Sequence, residues 1–299
     1  MSGQRRRLVA EPSVSIIVPD GCAVYLAAME PVILSIAGYD PSSGAGVTAD
    51  VKTAAAHGCF ALTCITAVTV QTTKGVHQVE PMLGEVVRQT LYGLAADLPI
   101  HAVRVGMLGS GEVAEAVAEF LETTHRTNVV LDPIMRSSSG ADLLDAKGLE
   151  ILKTRLLPLA DLVTPNLIEA AALSGADVAN PRDMRSAGRE LLRMGAKNVV
   201  VTGGHLSGDR AIDLLLWRPD GMDEVFEEEL AGERIQSNST HGTGCAFATS
   251  AACHLARGFR LPDAVAGAKN FVRIAIEKAT PLGHGKGPME LLWPLKESH

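Results

Sequence analysis

The chain predicts an α/β fold: a mostly parallel central sheet with helices on both faces. Two features point there. From residue 31 onward, short apolar runs of strand character alternate with longer runs of helical period, the order that builds parallel sheets. The glycines, asparagines and acids of chemical interest fall just after the strand-like runs, where open α/β sheets bind their ligands.

The elements follow in order. Residues 32–37 form a buried apolar strand. Val47, Val51, Ala54 and Ala55 share a helical face that Gly58 ends. Residues 61–70, rich in Thr, Val and Ile, read as a strand. Residues 83–96 and 112–124 read as helices, and 101–106, 128–132 and 161–164 as strands. The clearest helix follows Asn180, which can cap it; Pro181 suits the first turn and Asp183 the helix dipole. Met184, Ala187 and Leu191 line its apolar face and Gly195 ends it. Strands are expected over 197–201, 209–217 and, more weakly, 223–230, then helices over 243–257 and 262–279. There is no internal repeat and no linker after residue 30.

Residues 1–30 read as an extension ahead of one domain spanning 31–299, with Met29 as an alternative start. Arg5, Arg6 and Arg7 before the apolar residues 14–18 mimic a signal peptide, but Pro19, Asp20 and Gly21 cut the run short, so export is not expected. A formal charge of −7 without a basic face excludes broad nucleic-acid binding. No apolar run is long enough to span a bilayer. Five cysteines at non-zinc spacing fit reduced thiols in a cytoplasmic protein.

Five stretches could carry chemistry. The turn at residues 37–46 has three glycines, which lets backbone approach a ligand closely or merely connects strand to helix. It is neither a G-x-G-x-x-G fingerprint nor a P-loop. The run Thr240-His241-Gly242-Thr243-Gly244-Cys245 opens a small-residue helix, so its backbone amides can form an anion hole. Cys245 would lie in the first turn, where the dipole favours a thiolate, unless it is a buried structural Cys beside a tight turn. Asp132, ending a strand, could hold Mg²⁺ or water, or serve a turn. Asn166 and Glu169 have capping-box spacing, and Glu169 could instead order a Mg²⁺ hydration shell. Gly203-Gly204-His205 follows a strand, beside a nucleotide or as an ordinary turn. His241 is expected to make a structural hydrogen bond.

As a set, these stretches resemble the hydroxymethylpyrimidine/phosphomethylpyrimidine kinases of the ribokinase superfamily. The resemblance runs from about Val32 to Pro288 through SIAGYDPSSGAGVTADVKTAAAHG, ITAVTVQTTKGV, VRVGMLGS, VVLDPIMRSSSGADLL, LLPLADLVTPNLIEAAALSG, VVVTGGHLSGDRAIDLL, STHGTGCAFATSAACHLARG and GHGKGP, in the family's order. It implies a ribokinase-like fold, ATP with Mg²⁺, a homodimer, and two successive phosphorylations at one site. By the same resemblance, Gln71 meets the pyrimidine edge, and Asp50, Ala45, Thr69 and Met107 line its pocket. Asp132 and Glu169 fall on the metal side, and Asn166 and Lys269 near the nucleotide. Gly242, Thr243, Gly244 and Cys245 form the anion hole.

Where ribokinase relatives usually end that motif in Asp, this family has Cys, which argues against a typical pyridoxal kinase. Two positions depart from the family. Thr202 precedes the paired glycines where Lys is frequent, and residues 134–139 lack a Lys frequent near their end. Phosphate charge is then expected to be offset by Arg136, Mg²⁺ or Lys269. Cys245 is expected to accept the hydroxymethyl proton or to position that group. The rivals are a pyridoxal-type vitamin kinase and a non-catalytic pyrimidine-binding homologue.

Overall fold

The computed structural model describes residues 30–297, apart from 138–139, 205, 207 and 220, together with two strand fragments nearer the N-terminus. The chain divides into two compact units, Met1–Glu30 and Pro31–His299. In the first, β1 (Ile16–Ile17) and β2 (Ala23–Val24) pair antiparallel. The rest of the expected extension, with Arg5 to Arg7, Cys22 and Met29, lies outside the described residues, as do Ser138, Ser139 and His205.

The second unit begins with β3 (Val32–Tyr39), α1 (Gly46–Ala56), β4 (Phe60–Thr72), β5 (Gly75–Pro81), α2 (Gly84–Asp97), β6 (Ala102–Val105), α3 (Gly111–Thr124) and β7 (Val129–Leu131). A helical run follows: α4 (Ala146–Ile151), a π-helical turn (Leu152–Leu156) and α5 (Leu157–Leu159). Next come β8 (Leu162–Val163), α6 (Leu167–Ser174), α7 (Pro181–Arg193) and β9 (Val199–Val201). The chain continues through β10 (Arg210–Trp217), β11 (Phe226–Glu233), α8 (Thr243–Ala256), α9 (Leu261–Glu277) and α10 (Trp293–Lys296).

Nine strands form one sheet in the order β11-β10-β9-β8-β7-β6-β3-β4-β5. The six from β9 to β4 are parallel, and an antiparallel margin closes each side. Alternation along the strands feeds both faces. Leu34 and Ile36 pack with Val113, Val117 and Phe120 of α3. Ile33 points the other way, with Phe247, Ala248 and Ala251 of α8. Small residues on α8 bring its backbone close under the sheet, which places its N-terminus at the carboxyl ends of β3, β6 and β7.

The α7 helix forms as its cap dictates: the Asn180 side chain accepts from the amides of Arg182 (3.0 Å) and Asp183 (3.1 Å). Two elements have no clear sequence signal. The polar strand β5 bonds only β4 and is largely exposed, so its residues show no apolar alternation. The run α4–α5 contains Pro158, which reads as a break and falls one residue before the run ends at Leu159.

Candidate active site

The loop leaving β3 is organised by Asp40. Its Oδ1 accepts from the Ser42 amide (2.8 Å) and hydroxyl (2.7 Å), and its Oδ2 from the amides of Ala45 (2.9 Å) and Gly44 (3.2 Å). The same Oδ2 lies 2.8 Å from His241 Nε2. This pins the β3 loop to the loop entering α8. The two loops touch through backbone: Gly242, at φ 80°, could not carry a Cβ without striking the Gly44 carbonyl. The C-terminal segment braces the second loop, with the His241 amide donating to Gly287 O (3.0 Å) and the Gly287 amide to Asn238 O (2.9 Å).

Past Gly242 the helix α8 begins. The amides of Thr243, Gly244 and Cys245 donate to no acceptor among the described residues; the first amide to do so is Ala246, to Gly242 O (2.9 Å). Three free amides at a helix N-terminus favour an anion electrostatically and geometrically.

Beneath them lies a buried ion cluster built on Arg104 of β6. Its guanidinium donates to Asp132 Oδ2 (2.6 Å) and Asp50 Oδ2 (3.3 Å), while Nε has no partner. Asp50 also accepts from Ser35 Oγ (2.6 Å) and Thr249 Oγ1 (2.7 Å). Gly106 must be glycine, because a Cβ there would meet the guanidinium. Two carboxylates share one cation, so Asp132 stays frustrated. Burial, with the Asp50 charge, holds its carboxyl at about 6 despite Arg104. Burial and then the Asp132 charge lift Glu169 to about 8, although its Oε2 accepts from the Asn166 amide (2.8 Å) in a complete capping box. Glu169 thus makes the expected capping box of α6 and also stands close enough to Asp132 to feel its charge.

Two buried carboxylates that resist ionising together suit a divalent cation. The pair falls short of a protein cage of three or more ligands, and none occurs among the described residues. A Mg²⁺ ion would need only one or two such carboxylates from the protein, with water and phosphate as its other ligands.

Of the two readings of Cys245, the structure has the buried one. Its side chain is buried against Arg104 and the Gly46 amide, and burial pushes it up to about 12 although Arg104 opposes the rise. Burial therefore holds Cys245 as a thiol rather than a thiolate.

The remaining sequence-predicted residues fall into three places. Gln71 and Thr69 on β4 sit beside the His241 bridge: Gln71 Nε2 is 3.0 Å from His241 Nε2, and Thr69 Oγ1 donates to Tyr39 O (3.0 Å). Ala45 belongs to the Asp40 loop, and Met107 packs where a Cβ on Gly38 would lie 2.9 Å from its sulfur. Asp50 is fully buried below this region rather than in its lining. Thr202 stands at the end of β9 beside Asn166, its amide donating to Pro165 O (2.8 Å). Lys269 on α9 is engaged by Asp213 Oδ2 (2.7 Å) and Ala211 O (3.1 Å); Asp213 also accepts from the Gly203 amide (2.9 Å). Arg136 is exposed and paired with Asp142 (2.7 Å), in no bond with the buried cluster.

Sequence reasoning missed Arg104 and Asp40. A lone arginine in the buried strand Ala102–Val105 is the signal for the first. An Asp followed by Pro-Ser-Ser-Gly is the signal for the second, since such an acid caps its own turn.

An anion cradle at a helix start, above buried acids at the carboxyl ends of parallel strands, defines a ribokinase-like α/β phosphotransferase. The chain belongs to the phosphomethylpyrimidine kinase family, whose profile matches residues 40–290. The hydroxymethylpyrimidine/phosphomethylpyrimidine kinase of Streptomyces coelicolor is 42% identical over 267 residues, 89% of this chain and 96% of that one. The thiamine biosynthesis bifunctional protein ThiED of Geobacter sulfurreducens is 41% identical, but the chain spans only 51% of its length. Among solved structures, Bacillus subtilis pyridoxal kinase in complex with ADP aligns over 90% of this chain and 99% of its own, with a TM-score of 0.79 at 32% identity. Phosphomethylpyrimidine kinase from Clostridium difficile aligns over 83% and 100%, with a TM-score of 0.71 at 34% identity.

Proposed function

We propose that the protein transfers the γ-phosphoryl group of ATP to 4-amino-5-hydroxymethyl-2-methylpyrimidine and then to the resulting monophosphate, serving thiamine diphosphate synthesis. The observation that carries this is the set of free amides of Thr243, Gly244 and Cys245, joined through His241 to Gln71 on the neighbouring strand. One end of the site suits a phosphoryl group and the other a flat polar ring. Residues 31–299 act as a single kinase domain, cytoplasmic and homodimeric as the family resemblance implies. No helix among the described residues is long and apolar enough to cross a membrane.

Phosphoryl transfer needs alignment and charge stabilisation more than covalent help. The amides stabilise the equatorial oxygens. Asp132 and Glu169 would hold Mg²⁺, which would offset phosphate charge there. Gln71, Thr69, Ala45 and Met107 orient the ring. Asn166, Thr202, Lys269 and Arg136 flank the nucleotide, with Lys269 acting through Asp213 on the paired glycines. With its thiol pushed up to about 12 by burial, Cys245 is protonated at pH 7. It therefore positions the hydroxymethyl oxygen as a neutral thiol, and the alcohol proton passes to an oxygen of the transferred phosphoryl group as the new P–O bond forms.

The pyridoxal kinase reading has one observation in its favour, the TM-score of 0.79 against 0.71. The curated pyrimidine kinases stand closer in sequence, 42% against 32% identity. A coupled ADP-release assay with hydroxymethylpyrimidine, its monophosphate and pyridoxal, followed by product mass, separates the two. One added phosphate on each pyrimidine supports the proposal. Turnover of pyridoxal alone replaces it, and binding of the pyrimidine without ADP release supports a non-catalytic homologue.

A further inference from the structure

The bridge between the two glycine loops has a proton-counting problem with one solution. His241 Nε2 lies 2.8 Å from Asp40 Oδ2 and 3.0 Å from Gln71 Nε2. At the carboxylate, a contact of that length needs a proton, and only the imidazole can supply it. His241 is then the Nε2–H tautomer. The same nitrogen therefore cannot accept from an amide N–H of Gln71, and two donors would face each other. Burial works against the Asp40 charge, but hydrogen bonds from His241 and Ser42 outweigh it and keep that carboxyl below its ordinary range.

Turning the Gln71 amide over removes the conflict, because its O and N differ only by hydrogen-bond logic. Oε1 then shares the His241 proton with Asp40. Nε2 donates to Thr69 Oγ1, 3.2 Å from the other amide atom, and Thr69 passes its own proton to Tyr39 O at 3.0 Å. Thr69 is a rotor that can donate or accept, so it does not choose the orientation; His241 does. After these bonds Gln71 keeps one free lone pair on Oε1 and one free N–H on Nε2. An acceptor and a donor side by side are the complement of an exocyclic amine next to a ring nitrogen. They mismatch the lactam edge of an oxopyrimidine, which carries a ring N–H donor beside a carbonyl acceptor.

We propose that His241, locked by Asp40, is a specificity-positioning residue: it fixes the Gln71 amide so that the pocket accepts an aminopyrimidine alcohol and rejects its oxo counterpart. The proposal rests on the pyrimidine reading above. A mismatched buried pair leaves two polar groups unmade, so the wild-type preference in kcat/KM is of order 10²–10³-fold. In His241→Phe the amide turns freely and the ratio falls to within about tenfold, however much overall activity drops.

The test measures kcat/KM for the 4-amino and 4-oxo alcohols in wild type, His241→Phe, Gln71→Met and the double variant. The expected result is collapse of the ratio in both single variants, with nothing further lost in the double. Retention of the wild-type ratio in His241→Phe, or a second equal loss in the Gln71→Met background, overturns the proposal. Independently of any variant's folding, ¹⁵N shifts of the histidines in the wild-type protein report the tautomer. A protonated Nε2 at His241 is expected, and a bare Nε2 overturns the proposal. If wild type turns over neither pyrimidine, the proposed function fails, while the tautomer measurement still decides the geometry.

Discussion

Replacing Arg104 should expose how much of this site's architecture hangs on one cation. In Arg104→Met the side chain is near the same volume, so the loss is mainly electrostatic. Arg104 is fully buried, with Asp132 at 2.6 Å and Asp50 at 3.3 Å. Asp50 keeps its bonds from Ser35 and Thr249, whereas Asp132 loses its only side-chain partner. Removing one member of a buried ion pair costs about 3–5 kcal/mol, about a fifth or more of a typical domain's stability.

The cost should depend on pH in a stated direction. Asp132 already titrates at about 6, above its ordinary 3.8, so its charge opposes folding at high pH. Without Arg104 its folded-state value rises further. The folded state then binds more protons than the unfolded state, and stability falls as pH rises through that range. Urea unfolding of wild type and variant at pH 5.5 and pH 8 measures both effects. The destabilisation should be larger at pH 8, and Arg104→Lys should recover a substantial part of it. A loss under about 1 kcal/mol, or one as large at pH 5.5 as at pH 8, would refute the reading of Arg104 as the cluster's counter-ion.

Three further outcomes are expected. Cys245→Ala should slow the first phosphorylation by about 10–100-fold and the second far less, because the neutral hydroxymethyl group depends on the thiol for its alignment, whereas a phosphate monoester with a second pKa near 6 is aligned by its own negative charge; equal losses in single-turnover rates would leave Cys245 a packing residue. His57 is driven down to about 3 by burial, then by the His254 and Arg257 charges, and its Nε2 lies 2.8 Å from Ser250 Oγ. It must stay neutral to fold, so its contribution is intact above the ordinary histidine value of 6.5 and drains away as pH falls towards 3. That is about 3 kcal/mol by pH 4, and His57→Asn should flatten the slope of Tm against pH there; parallel curves would contradict this. Arg136→Ala should raise KM for ATP while moving stability by less than about 1 kcal/mol, since its pair with Asp142 is exposed; an unchanged KM would take Arg136 out of the nucleotide region.

The parallel core was legible because its strands and helices keep distinct periods: β3 is apolar on both faces, and α7 announces its start through Asn180-Pro181. The margins were not. Strand β5 gains its form from pairing with β4, a non-local bond that leaves no local mark. The same division holds at the site. The HGTGC turn is visible because anion binding by backbone demands glycines in series. Arg104 was passed over because its meaning comes from Asp50 and Asp132, which reach it from other elements. The state of Cys245 stayed open between thiolate and buried thiol for a related reason: a dipole can be inferred from position along a helix, but burial depends on what packs above it.

The backbone contact between Gly44 and Gly242 sets limits on how such an enzyme can be remade. At Gly242 the two loops meet backbone to backbone, so a side chain at that position would displace both. Redesign for a different ring therefore has one open route, the exchange of groups along β4 at Thr69 and Gln71, which leaves the phosphate cradle untouched.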